Sequence, residues 1–315
     1  MSGIMRMGHI DINVLDINES RNYYENIMGM DVTKEDADGT LYLKCWDEWD
    51  KYSLILRPSE EATFNRVGYK VEKDSDIDDL KAKIEAYGIS TEILPAGSVP
   101  ECGRVLKFNV PSGHEFNLYA QKTFVGKNVG DTNPRPWPFE GRGIKAHWID
   151  HVLLMCEGPE NVMASTKFCQ EVLEFNLAEQ VCVGPEGSMQ AATWLARTST
   201  PHDLAFVAGP ETGMHHFGFF LDGWNDILRA ADVMAMHNVK IDVTPQRHGI
   251  TRGETIYFFD PSGHRLETFA GLGYLMQPDM PTVTWTEDEL WRGIFYHTGA
   301  EDGAFTTAYT LSAYK

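Results

Sequence analysis

The sequence predicts an α+β protein of four βαβββ modules paired into two halves, and three observations point to it. A turn, Pro-Ser-Gly-His, stands at Pro111–His114 and again 150 positions later at Pro261–His264. The same offset lays Arg66-Val67-Gly68-Tyr69 on His216-Phe217-Gly218-Phe219, and Ile77, Ile84 and Ile89 on Ile227, Met234 and Val239. Short β-branched or aromatic runs bounded by Gly, Pro and Asp also alternate with apolar positions at helical spacing. A repeat of this kind outranks local propensity as a guide to architecture.

In chain order, Ile10–Val14 reads as a strand, Ser20–Ile27 as a helix, and Leu41–Cys45 and Ser53–Leu56 as strands. A second round follows, with strand Val67–Val71, helix Ile77–Tyr87, and strands near Ser90–Leu94, Arg104–Val110 and Glu115–Ala120. Gly88 marks a left-handed helix exit, and Asn238, the next best residue for that conformation, stands at its match. An offset near 145 extends the repeat upstream, setting Tyr23, Ile27, Met28 and Met30 against Phe168, Val172, Leu173 and Phe175. The strand Gly8–Ile12 then lies opposite Asp150–Leu154. The modules span roughly 5–60, 61–121, 146–210 and 211–270. They divide the chain into a first domain, 1–121, a Pro/Gly-rich connector, 122–144, a second domain, 145–270, and a tail, 271–315, rich in Trp, Tyr and Thr. A tail of that length matching no module reads as a lid or an interface.

With 315 residues, 43% of them hydrophobic, the chain has material for a sizeable core. Its net charge of −19 argues against a nucleic-acid partner, which needs concentrated Lys and Arg. The five cysteines (Cys45, Cys102, Cys156, Cys169, Cys182) show no CxxC spacing, so neither a disulfide framework nor a thiolate metal site is expected. No apolar leader or membrane-length run is present, which points to a cytoplasmic protein with reduced thiols and no membrane partner.

Eight of the eleven histidines fall in 145–270. His151, His216 and Glu267 occupy module-defined strand positions, and strands that curl into one cup would bring them together. Two imidazoles and a carboxylate form the facial set of a non-haem Fe(II) site with positions left open for substrate and oxygen. The matched positions in the first half hold His9, Arg66 and Asn117, so that half is expected to be metal-free. Glu267 and Asn117 each follow their turn histidine by three residues. The turn itself is scaffolding, and His264 is not expected to be a ligand. A lone strand histidine is more often a packed or hydrogen-bonded residue than a ligand, and it is the repeat that singles these positions out.

Trp148–Leu154, His215–Leu221 and Tyr257–Phe269 together resemble the type I extradiol dioxygenases of the vicinal oxygen chelate superfamily, in particular the catechol 2,3-dioxygenases. The resemblance covers essentially the whole chain. It implies two incompletely closed β-barrels, His151, His216 and Glu267 as metal ligands, and Fe(II) as the cofactor, with Mn(II) not excluded. It also implies ring cleavage of catechol or an alkyl- or halo-substituted catechol beside its two hydroxyls, consuming O2 and yielding a 2-hydroxymuconic semialdehyde. His202 matches the histidine beside the oxygen site. His248 and Tyr257 match the pair that bonds and deprotonates the catechol hydroxyls, and Trp194 matches a pocket wall. His215 is expected on the opposite strand face from His216 by period-two alternation. A homotetramer is implied by the family.

Two other classes stay open on the residues alone. A glyoxalase-like metal isomerase would require a fourth protein ligand, which Arg66 and Asn117 do not supply. A non-catalytic binding protein of this fold would give His202, His248 and Tyr257 no reason to accompany the triad. Arg292 in the tail leaves open an acid-substituted catechol such as homoprotocatechuate.

Overall fold

The computed structural model describes residues 3–139, 141–299, 305 and 307–313. The first βαβββ unit comprises β1 (Ile4–Val14), α1 (Ile17–Asn22), β2 (Asp31–Glu35), β3 (Leu41–Lys44) and β4 (Leu54–Pro58). The second comprises β5 (Phe64–Val71), α2 (Asp74–Ala86), β6 (Thr91–Leu94), β7 (Val105–Asn109) and β8 (Glu115–Tyr119). The third runs through β9 (Ile149–Glu157), α3 (Gly158–Glu171), β10 (Asn176–Val183), β11 (Met189–Ala196) and β12 (Leu204–Gly209). The fourth holds β13 (Gly213–Leu221), α4 (Trp224–Met236), β14 (Ile241–Arg247), β15 (Glu254–Phe259) and β16 (Arg265–Ala270). The tail adds β17 (Val283–Thr286), the single-turn helix α5 (Leu290–Ile294) and β18 (Thr310–Leu311).

Two sheets result. The first has the order β2-β3-β4-β1-β5-β8-β7-β6, and the second repeats it strand for strand as β10-β11-β12-β9-β13-β16-β15-β14. Among the described residues the edge strands of each sheet do not pair with each other, so neither barrel closes. Helices α2 and α4 bury matching residues, Ile77, Leu80 and Ile84 in one and Ile227, Ala230 and Met234 in the other. Burying each large side chain of this kind stabilises the fold by about 1.5–3 kcal/mol.

Register carries the site positions. His9 on β1 faces Gly68 on β5, which faces Asn117 on β8. His151 on β9 faces Gly218 on β13, which faces Glu267 on β16. Glycine is required there because the histidine ring lies across the neighbouring strand. A Cβ on Gly68 would stand 2.1 Å from His9 Cε1, and one on Gly218 2.3 Å from His151 Cε1.

The repeated turns join the halves. His114 Nε2 bonds the Gly213 carbonyl at 2.7 Å, and His264 Nε2 bonds the Asn13 carbonyl at 2.8 Å. The serines of the same turns also cross over, Ser112 N donating to Ser165 Oγ and Ser262 Oγ accepting from Leu15 N. Burial pushes His114 down to about 4, so it stays a neutral hydrogen-bonding group.

Three local features depart from the expectations. α1 continues into a π-helical turn over Tyr23–Met28, which ends at Gly29 in the left-handed region (φ 83°). β2 was not anticipated, because its five residues are half-exposed and carry no apolar alternation. The tail is built into the second sheet: β17 extends it by pairing parallel to β10, and β18 pairs with the start of β13. No helix among the described residues is long and apolar enough to cross a membrane.

Candidate active site and metal centre

His151, His216 and Glu267 converge from three adjacent strands, β9, β13 and β16. One ligand atom from each lies within 4.8 Å of the others, and all three residues are buried. Glu267 Oε2 stands 2.8 Å from His151 Nε2 and 3.0 Å from His216 Nε2. The other oxygen, Oε1, accepts from the Thr255 hydroxyl at 2.6 Å. Burial alone would raise the Glu267 carboxyl, but its neighbours, foremost the hydrogen bond from His151, hold it well below the usual range.

Each imidazole is oriented from behind. His151 Nδ1 donates to Asp150 Oδ2 at 2.9 Å, which leaves Nε2 aimed at the cluster. Burial opposes charge on His151, yet Asp150 and Glu267 together raise it to about 9. His216 is pushed down to about 4 by burial, against the pull of Glu267. The His215 Nε2–H donates to the Phe305 carbonyl at 2.7 Å, so its Nδ1 accepts from His216 Nδ1 at 2.7 Å and frees His216 Nε2.

This last contact corrects the expected alternation. The register slips between Met214 and His216, a bulge that keeps His215 beside the same cavity instead of sending it to the far face. Arg265, buried and paired with Asp242 at 2.8 Å, stands behind His215.

The donor set is two imidazoles, each oriented through its Nδ1, and one carboxylate, with no thiolate in the cluster. It suits a divalent first-row ion of N/O preference and does not suit a soft-metal site. His151, His216 and Glu267 are the residues able to hold such an ion.

The cluster opens into a cavity of about 220 Å3. Its walls are mainly apolar, with Leu153, Val181, Ala192, Trp194, Ile250 and Ile294 among them. Three polar groups expected from sequence line it as well. The His202 ring centroid lies 4.0 Å from that of His151, and its buried Nδ1 has no hydrogen-bond partner among the described residues. Burial first, and then the charge on His151, push His202 far down, so the ring is neutral. His248 Nδ1 donates to the Ile294 carbonyl of α5, which leaves Nε2 as the lone-pair nitrogen. That nitrogen accepts from the Tyr257 hydroxyl at 2.9 Å and lies 3.4 Å from Glu267 Oε1. Tyr257 is pushed well up by burial and by the Glu267 carboxylate, so within this pair the imidazole is the base and the phenol the donor.

His264 and Arg292 lie outside the cluster. His264 bonds Thr310 Oγ1 and the Asn13 carbonyl. The exposed Arg292 side chain pairs with Glu289 and stacks on Trp291, away from the cavity. Sequence reading missed Asp150, Thr255 and the Ile294 carbonyl. Asp150 left a signal, a carboxylate directly before a candidate ligand. Thr255 is twelve residues from Glu267 and faces it only through strand pairing.

The profile of the catechol 2,3-dioxygenase-like N-terminal domain matches residues 65–123, and that of the glyoxalase/bleomycin resistance protein/dioxygenase superfamily matches 148–268. The metapyrocatechase of Pseudomonas sp. (strain CF600) is 40% identical over 310 residues, covering 98% of this chain and 99% of that protein. A manganese-dependent 2,3-dihydroxybiphenyl 1,2-dioxygenase of Geobacillus genomosp. 3 is 28% identical over 304 residues, covering 93% and 94%. Among solved structures, the 2,3-dioxygenase LapB from Pseudomonas sp. KL28 superposes with a TM-score of 0.86 at 41% identity, covering 92% of this chain and 99% of that one.

Proposed function

The chain belongs to the extradiol dioxygenases of the vicinal oxygen chelate superfamily, the group that includes metapyrocatechase, and from that premise we propose that it cleaves catechol, or an alkyl- or halo-substituted catechol, beside its two hydroxyls with O2. We assign the metal to His151, His216 and Glu267 and identify it as Fe(II). A manganese-dependent relative at 28% identity makes Mn(II) the alternative to be tested. In this reading 1–121 is a non-catalytic domain, 122–144 a connector, 145–270 the catalytic domain, and 271–315 a tail that helps to roof the cavity.

When bound, the metal polarises the diol and brings it together with dioxygen at one centre. The residues of the chain do the rest. The His248 Nε2 lone pair, defined by the bond from Nδ1 to Ile294, takes a proton from a catechol hydroxyl. Tyr257, held protonated, donates a hydrogen bond to the resulting oxyanion. Neutral His202, beside His151, stands where it can donate to reacting oxygen and move a proton to it. The walls formed by Leu153, Val181, Trp194 and Ile250 take the ring and exclude water. They offer nothing to a ring carboxylate, and Arg292 points elsewhere, so neutral substituents fit better than acidic ones.

The observation that carries this reading is the convergence of three buried ligand atoms beneath a cavity that also holds His202, His248 and Tyr257. The test is to load the protein anaerobically with Fe(II) or Mn(II). Catechol, 3-methylcatechol, 4-chlorocatechol and homoprotocatechuate are then added in air. Oxygen uptake and a yellow product are expected with the first three, and a much slower reaction with homoprotocatechuate. Absence of oxygen uptake with every diol and either metal would sink the reading.

A further inference from the structure

Glu179 is a buried carboxylate of β10 that lies outside the metal cluster and binds three separate segments. Its Oε1 accepts the Thr251 N–H at 2.6 Å and the Tyr274 hydroxyl at 2.7 Å. Its Oε2 accepts the Trp285 indole N–H at 2.7 Å. Thr251 lies in the β14–β15 loop, Tyr274 follows β16, and Trp285 lies on β17. Hydrogen bonds to an ionised acceptor in a buried setting are among the stronger ones.

The Thr251 loop carries His248 and the wall residue Ile250. It is bent by two successive non-glycine residues in the left-handed region, Thr251 and Arg252, both at φ 58°. That backbone conformation is strained for residues bearing a Cβ, so the loop holds that path only where partners fix it. Glu179 fixes it from below. From above, Gly293 O accepts from Gly249 N and Ile250 N, and Ile294 O accepts from His248 Nδ1. The two supports are themselves linked, because Trp285 packs against both Gly249 and Gly293.

We propose that Glu179 is a positioning residue. One carboxylate sets the loop bearing His248 and the tail that roofs the cavity in a single arrangement, which keeps His248 Nε2 beside Tyr257 and Glu267. The proposal rests on the reading above, in which His248 is the base for a catechol hydroxyl. A carboxylate is required because all three partners are donors. Glutamine would turn an NH2 group toward at least one of them, and aspartate is one methylene too short to reach all three.

The experiment uses the full-length, metal-loaded protein. Glu179→Gln is expected to lower kcat/KM for catechol about tenfold, mainly through KM, with metal content unchanged, and to speed amide exchange at Ile250 and Thr251 by a similar factor. In a His248→Ala background the same change should cost less than about twofold, because the group it positions is gone. Tyr274→Phe removes one donor and leaves the carboxylate. It should reproduce the effect at about two- to threefold, and it keeps the test open if the glutamine variant folds poorly. Equal losses in both backgrounds, or unchanged KM and exchange, overturn the positioning role while wild-type ring cleavage stands. If the wild-type protein took up no oxygen with catechol, the functional reading would fall, and the exchange rates would still decide whether Glu179 holds the loop.

Discussion

His9 and His151 occupy the same place on the central strands of their sheets, each with its ring across a glycine, yet the groups around them differ in kind. Register pairs His216 with Arg66, Glu267 with Asn117, His202 with Tyr52, Tyr257 with Lys107, and Trp194 with Tyr42. In the first half three of these groups meet one carboxylate, and a buried ammonium lies beside His9 and Tyr52. Arg66 and Lys107 pair with Glu115 at 2.9 and 3.6 Å, and Asn117 donates to the same carboxylate at 3.0 Å. The buried Lys122 ammonium bonds the Gly8 and Tyr52 carbonyls and His9 Nδ1, and sits 4.0 Å from the centre of the Tyr52 ring. One half answers its buried polar groups with charges fixed to the chain. The other aims two imidazoles and a carboxylate at a common point. The difference teaches that this register is neutral toward chemistry, and that a few side chains decide what the cup contains.

The comparison can be broken most directly at Glu267. Glu267→Gln should lower turnover by at least about 100-fold and leave metal content well below one per chain, read by elemental analysis. If the metal content stayed at wild-type level, the contrast between Glu267 and Asn117 would lose its meaning. His202→Phe is next, since its counterpart is already an aromatic, Tyr52. Turnover should fall by about 100-fold or more with metal content and anaerobic catechol binding kept. Full activity in that variant would remove the proton role.

Two pH effects sharpen the contrast, one beside His9 and one beside His202. Burial lowers Lys122 from 10.5 to about 8. Between those values the unfolded chain binds more protons, so stability rises with pH, by on the order of 3 kcal/mol in all. Lys122→Met should abolish this rise in melting curves taken between pH 8 and 10. Asp203, the match of Ser53, is raised by burial from 3.8 to about 6 although the Arg197 and Thr198 amides donate to it. There the folded chain binds more protons, so stability falls as pH climbs from about 4 to 6, by on the order of 2–3 kcal/mol. Asp203→Asn should flatten that decline, and an unchanged slope would place the titration elsewhere.

Much of this was legible in the sequence because duplication writes the same strand twice. The 150-residue offset set Gly68 on Gly218 and thereby matched Arg66 to His216 and Asn117 to Glu267, before any strand pairing was known. What escaped was whatever depends on pairing without periodicity. Thr255 meets Glu267 across a hairpin, and Glu179 meets partners 72, 95 and 106 residues away. A single bulge moved His215, because alternation holds only while the ladder is regular. β2 adds a strand where composition gave no alternation to read, whereas β17, Val-Thr-Trp-Thr, does alternate but over only four residues in a segment outside the repeat.

The paired turns have a consequence for how the molecule can be divided. Each turn histidine completes its hydrogen bonding on a backbone carbonyl of the opposite half. A chain cut to residues 145–315 would strip Asn13 from His264 and expose the face that Ser165 shares with Ser112. The quieter half is therefore no removable ornament. It supplies the carbonyl that His264 bonds and the amide that Ser165 accepts, and a chain trimmed to the metal-bearing half would leave both without their partners.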